Sequence, residues 1–275
     1  MRRPALRRGL AAACVILAVG CHRKHLVVES GPELGYPACG DGGAGVIVAE
    51  GHIRSGPFSR EQEVVERFAL RRTPCGYVFR SRQEWPLMIS DVEVHYDANL
   101  TPFWAFKRMT LGHSTRDDGN AEMRRYELRT GDVFIKARDD AGNVSWERLM
   151  PGGRMAVSPG AHVGAVVGPG RGVITPWLKR AHLSVGQKTA ELVLDFREMT
   201  ETLEIGTLQR DPDLFDSSLG RTVRVYRFFG RDAVFADDDD VVIGDVAGMR
   251  PSDSLPSPEP PALPTYGGAD PVRTP

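Results

Sequence analysis

The stretch Ser90–Asp97 alternates without a slip, with Val92, Val94 and Tyr96 on one side and Asp91, Glu93, His95 and Asp97 on the other. A period of two is a strand signature, and the clean division between apolar and charged residues predicts one buried and one wet face. His95 falls on the charged side, which predicts an exposed histidine. The period recurs in Tyr77–Trp85, where Tyr77, Phe79 and Ser81 alternate with Val78, Arg80 and Arg82. It recurs again where Ala190, Leu192, Leu194 and Phe196 alternate with Glu191, Val193, Asp195 and Arg197. A chain built this way needs partners along every strand, so antiparallel sheet dominates what it can form.

Further strands are expected at Val46–Ala49, Glu61–Arg71, Phe103–Leu111, Ala121–Arg129, Asp132–Arg138, Val144–Leu149, Glu201–Gln209, Arg221–Phe229, Val234–Ala236 and Val241–Ile243. Turn residues separate them: Thr73-Pro74-Cys75-Gly76, Thr130-Gly131, Asp139–Asn143 and Asp211–Gly220. Phe103–Leu111 carries aromatic residues on both faces, Phe103 on one and Trp104 and Phe106 on the other. That fits an edge beside a ligand cavity, or a strand buried on both sides. Residues 151–173, rich in Gly and Pro, read as a long surface loop. Thr175-Pro176 opens one helix, Pro176–Leu183, with Thr175 as cap and Pro176 in the first turn. His182 would lie on that helix. The expected fold is mainly β: a long antiparallel curved sheet or half-barrel, with one short helix packed on or in it.

The N-terminus carries an address. Arg2, Arg3, Arg7 and Arg8 precede an apolar run of 11 residues, Leu10–Gly20, too short to span a bilayer and typical of a secretory signal. Leu17-Ala18-Val19-Gly20-Cys21 resembles a bacterial lipoprotein signal, with Ala18 where leucine is commonest. Ala11-Ala12-Ala13-Cys14 is a poorer site because its apolar core is only Gly9–Ala13. The resemblance implies cleavage before Cys21 and acylation of its thiol. It also implies outer-membrane sorting, since His22 replaces the aspartate that retains such proteins at the inner membrane. Several acyl chains hold a protein effectively permanently, at about 0.8 kcal/mol per buried methylene.

Removing the first 20 residues takes four arginines and no acid from 35 basic and 36 acidic residues, leaving a net charge of −5. That balance argues against a nucleic-acid binder. Of four cysteines, Cys14 leaves with the signal and Cys21 is the acylation site. Cys39 and Cys75 remain, each followed by glycine and each near a turn, and in an oxidising compartment a disulfide between them is expected. The resulting division is signal peptide 1–20, lipidated N-terminus and tether 21–45, β domain 46–250 and tail 251–275. The tail holds eight of the 20 prolines and few apolar residues, which predicts disorder.

Within residues 60–245 the pattern resembles periplasmic lipid-handling half-barrels wrapped around a helix, as used by lipoprotein carriers and by proteins assigned to glycolipid binding. The stretches carrying it are VEVHYDANLTPFWAF (92–106) and TPWLKRAHLSVGQKTAELVLDF (175–196). It implies a lipid or other apolar ligand on the concave face, lined by the aromatic side of the strands between 62 and 111. The expected lining residues are Phe68, Tyr77, Phe79, Val92, Val94, Tyr96, Phe103, Trp104 and Phe106.

No cofactor and no metal is expected. His22 and His25 sit in a basic leader suited to anionic head groups. Asp139–Asn143 lacks the alternating ligands of a calcium loop. Asp237–Asp240 reads as a solvated hairpin tip. Gly168-Pro-Gly-Arg-Gly172 lacks the Lys-Ser/Thr of a phosphate loop, and its proline removes an amide donor. No G-x-S-x-G, H-E-x-x-H or C-x-x-C occurs, so a non-enzymatic binding protein is expected over a hydrolase built around His95, His113 or His182. The competing expectation is an interaction lipoprotein that presents its β domain and proline-rich tail to another envelope component.

Overall fold

The computed structural model describes residues 25–28, 45–55, 64–111, 121–128, 133–138, 144–149, 162–197, 201–230 and 232–252. Among these the chain is mainly β, arranged in two sheets with a single short α-helix.

The larger sheet has ten strands: β1 (His25–Val28), β2 (Val46–Ser55), β3 (Val65–Thr73), β4 (Gly76–Trp85), β5 (Met88–Tyr96), β6 (Pro102–Leu111), β7 (Ala121–Glu127), β8 (Val133–Arg138), β9 (Val144–Leu149) and, from the far end of the chain, β16 (Met249–Pro251). Sequential strands pair antiparallel from β2 to β9. β1 then closes one edge against β9, and β16 closes the other against β2. The smaller sheet holds β10 (Ala165–Val167), β11 (Lys188–Asp195), β12 (Thr202–Asp216), β13 (Arg221–Phe228), β14 (Asp232–Ala236) and β15 (Val242–Asp245), and it curls as a half-barrel. Its one parallel pair is β10 with β11, joined by the crossover that contains helix α1 (Thr175–Ala181).

One core joins the sheets. Phe68, Leu70, Phe79, Val92, Val94, Tyr96, Ala105 and Tyr126 of the large sheet meet Leu192, Leu194, Leu208, Tyr226 and Phe228 of the small one. Val173, Ile174, Trp177 and Leu178 lie within the same cluster.

The segment 22–45, expected as a tether with some structure, contains β1. Several other sequence expectations change. The 151–173 stretch is not a surface loop where it is described: Val163 and Ala165–Gly168 are buried, and Ala165–Val167 is strand. α1 begins one residue early, its N-cap is Ile174, and no side chain caps it. Thr175 is buried instead, and its Oγ1 accepts a hydrogen bond from the Val242 amide at 3.2 Å. His182 is the exposed C-cap, in the left-handed region at φ 42°. β12 runs seven residues beyond the expected Gln209, through an irregularity between Asp211 and Leu214, so the first six of the ten residues of the expected turn Asp211–Gly220 are strand. The tail starts ordered: Pro251 pairs with Ile53, and the Ser252 amide donates to the His52 carbonyl at 2.8 Å. Residues 253–275, the Asp139–Asn143 turn, His113, Cys21 and Cys39 lie outside the described residues. Cys75, exposed in the β3–β4 turn, is disulfide-bonded.

Candidate ligand-binding interior

Register divides the expected lining residues between two faces. Phe68, Phe79, Val92, Val94 and Tyr96 all face inward, within the shared core, and Tyr77 packs at its margin. Trp104 and Phe106 face the other way, packed with Phe103 in a separate cluster. They flank His95, whose ring lies 6.2 Å from that of Phe103 and 5.9 Å from that of Phe106. The nine residues therefore do not line one surface.

The outer face of the central strands is buried too, so the expectation of a wet face on Ser90–Asp97 is overturned. Asp91, Glu93 and His95 are 7%, 2% and 5% exposed. Ion pairing offsets the cost of burying Glu93, and the rings of Phe103 and Phe106 pack beside His95. Arg80 and Glu93 are cross-strand partners, and Arg80 Nε donates to Glu93 Oε2 at 2.9 Å. His95 Nε2 lies 2.6 Å from Glu93 Oε1. Burial pushes the Glu93 carboxyl up, but the His95 and Arg80 contacts outweigh it and hold it below the usual range. Asp91 goes the other way. Its Oδ1 has no hydrogen-bond partner and lies 3.8 Å from Arg82, so desolvation raises it. Phe103–Leu111 is thus the strand buried on both sides, with Trp104, Ala105, Phe106 and Lys107 all 3% exposed or less.

The segment Gly168–Ala181 packs on the inner face beside the small sheet, a plug seated against Glu66 and Phe68. Its glycines make the fit possible. The Phe68 ring lies against Gly51 of β2 and Gly172 of the plug, and a Cβ at either glycine would run into that ring. Burying Trp177 and Leu178 contributes roughly 1.5–3 kcal/mol each.

Polar groups fasten the plug. Glu66, on β3, is fully buried, and its carboxylate accepts from the Arg171 amide at 2.6 Å, the Gly172 amide at 2.9 Å and Ser81 Oγ at 3.3 Å. The amides of the glycine-rich loop are thus taken by one of the chain's own carboxyls. Burial still dominates, so the Glu66 carboxyl is raised despite these donors. The Arg171 guanidinium pairs with Asp245 at 2.6 Å. Lys179 donates to the Asp239 carbonyl at 2.6 Å, and Glu191 accepts from both Trp177 Nε1 and Arg180.

Beside Glu66 the inner face turns polar. Gln83 and Ser90 are cross-strand partners, both buried, and Gln83 Oε1 and Ser90 Oγ have no hydrogen-bond partner. The next row holds Ser81 and, two strands over, Lys107, which donates to the Phe196 carbonyl at 3.1 Å and lies 5.6 Å from the Phe196 ring centroid. The interior is therefore apolar at one end and polar at the other.

Sequence reasoning passed over Glu66, though a signal was there. Glu66 falls in phase with Phe68 and Leu70, so an inward-facing strand carries one acid among apolar residues. Asp237–Asp240 is a hairpin tip as expected, but not a uniformly solvated one. Asp237 Oδ1 accepts from the Asp239 and Val241 amides, and buried Asp240 takes Tyr226 Oη and Arg224. No grouping of three or more metal-ligating side chains occurs among the described residues. None of their helices is long and apolar enough to cross a membrane.

No protein-family profile matches the chain, and no curated protein matches it in sequence. A crystal structure of a DUF1089 family protein from Pseudomonas aeruginosa is a weak structural neighbour, 14% identical, covering 70% of this chain and 93% of that one at a TM-score of 0.40.

Proposed function

We propose that this protein is an outer-membrane lipoprotein, acylated at Cys21 and acting without catalysis, whose interior binds or carries a lipid or other apolar ligand. The observation that supports this reading is how the apolar wall is covered. Phe68, Phe79, Val92, Val94 and Tyr96 share one core with the small sheet and with a short segment fastened by polar contacts at Glu66, Asp245, Asp239 and Glu191. Displacing that segment would open the core beside Phe68, next to polar groups at Glu66, Gln83 and Ser90, and apolar walls with a few polar groups are the usual make-up of a ligand site.

The test is native mass spectrometry of the full chain carrying Cys21→Ser, secreted and then incubated with envelope lipid extract. A reproducible lipid adduct, with a shift in Trp177 fluorescence that is lost in Trp177→Phe, is the expected result. A clean protein mass with unchanged fluorescence overturns the carrier reading.

A second reading, an interaction lipoprotein, is favoured by one observation. Leu214 and Phe215, consecutive on β12, are exposed at 47% and 64%, and adjoining exposed apolar side chains mark contact surfaces. Under that reading Phe215→Glu abolishes capture of an envelope partner while leaving lipid adducts untouched.

A further inference from the structure

The ten-stranded sheet has two ends, and the register shows which groups share each. Leu26 of β1 pairs with Arg148, Arg148 with Phe134, Phe134 with Glu127, Glu127 with Trp104 and Trp104 with His95. His95 then pairs with Val78, Val78 with Arg71 and Arg71 with Ile47. Leu26 and Ile47 thus lie on one row, at opposite sides of the sheet. One row further out, at the same end, are His25 and Val46.

Val46, Ile47 and Val48 are exposed at 64%, 39% and 37%. Three consecutive aliphatic residues on a strand point to both faces, so the tip of β2 is apolar all round. Arg72, the partner of Val46, is exposed beside it. Asp97, in the β5–β6 turn at this end, has its Oδ1 engaged by the Asn99 and Thr101 amides.

We propose that this end of the sheet, bearing the start of β1 and the tip of β2, is seated on the lipid surface of the membrane. The inference rests on acylation of Cys21. Three residues, His22-Arg23-Lys24, separate Cys21 from β1. Four Cα–Cα steps reach at most about 14 Å. An acylated chain therefore cannot hang on a long leash, because β1 hydrogen-bonds to β9 and draws the sheet end down with it. The basic leader adds attraction to anionic head groups, about 1 kcal/mol per residue near the surface. Val46–Val48 supplies apolar contact at the other side of the same end. Leu87 lies in the β4–β5 turn and Val246 between β15 and β16, where Trp85 packs with Met249. Both are at the opposite end, as is the 212–217 stretch of β12, whose Asp216 pairs with Arg250 beside Met249.

Hydrogen–deuterium exchange of the full acylated chain tests this, compared with and without vesicles of phosphatidylethanolamine and anionic phosphatidylglycerol. Intact mass of the same sample reports the acyl chains separately. The expected result is exchange slowed about threefold or more at 25–28 and 45–50 by vesicles, with 212–217 and 245–248 unchanged. In the Cys21→Ser chain, Val46→Glu should weaken vesicle binding about tenfold relative to its parent. Protection at 212–217 and 245–248 on an acylated chain overturns the orientation and leaves the lipoprotein reading standing. Equal protection at both ends, or at neither, overturns the orientation as well. An unacylated chain overturns both.

Discussion

Glu66 and Glu93 stand two strands apart in one sheet, both buried, on opposite faces. Their carboxyls are displaced in opposite directions. Glu93 has the Arg80 guanidinium and a His95 hydrogen bond against it, and these hold its carboxyl below the usual range. Glu66 has backbone amides and a hydroxyl, which supply dipoles but, apart from Arg171 nearby, no direct charge, and desolvation wins. The outer face is thus locked by an ion network, whereas the inner face holds its plug with a carboxyl that burial works against. The two carboxyls answer burial differently, one through charged partners and one through dipoles.

The largest expected effect is on the outer side. Glu93→Ala leaves Arg80 buried without its carboxylate and should cost about 3–5 kcal/mol in urea unfolding. A cost under about 1 kcal/mol would mean the network contributes nothing and the comparison fails.

Next is pH, where the two sites should slope in opposite senses. Glu93 has a lowered folded pKa, so its contribution is present above the ordinary value of 4.5 and lost as pH falls through the folded value. The penalty of Glu93→Gln should therefore grow as pH rises from 3 to about 7. Glu66 has a raised folded pKa, so its contribution is complete below 4.5 and declines as pH rises through the folded value. The penalty of Glu66→Gln should shrink over the same range. Parallel slopes, measured by denaturant midpoints, would refute the contrast.

The smallest expected effect is at the plug itself. Gly172→Ala puts a methyl group into the Phe68 ring and should cost roughly 1–3 kcal/mol. If the plug is the releasable element, this variant should also speed amide exchange in 170–178 while leaving β5 unaffected, which exchange mass spectrometry reads directly.

Much of the architecture was written in short-range pattern. The alternation in Ser90–Asp97, Tyr77–Trp85 and Ala190–Arg197 placed β5, β4 and β11 to within two residues at either end, because the pleat alone sets a period of two. Turn chemistry at Thr73–Gly76 placed the β3–β4 hairpin for the same local reason. Where the reading failed, the cause was long-range. Nothing near Asp91, Glu93 and His95 tells whether their face meets water. That depends on Arg80, 13 residues from Glu93, and on whatever packs over the strand. Nothing near Gly168–Gly172 tells that its amides meet a carboxylate more than a hundred residues upstream.

The sequence by itself determined that this chain forms antiparallel strands with one short helix, since strand period, turn residues and helix-start residues act within a few positions of one another. Only the tertiary structure decided which faces those strands bury, that Trp104 and Phe106 lie opposite Phe79 and Val94, and that the glycine-rich loop fills the interior. Those outcomes follow from register and from desolvation of paired charges, and both are set by residues distant in the chain that meet only once the sheets have formed.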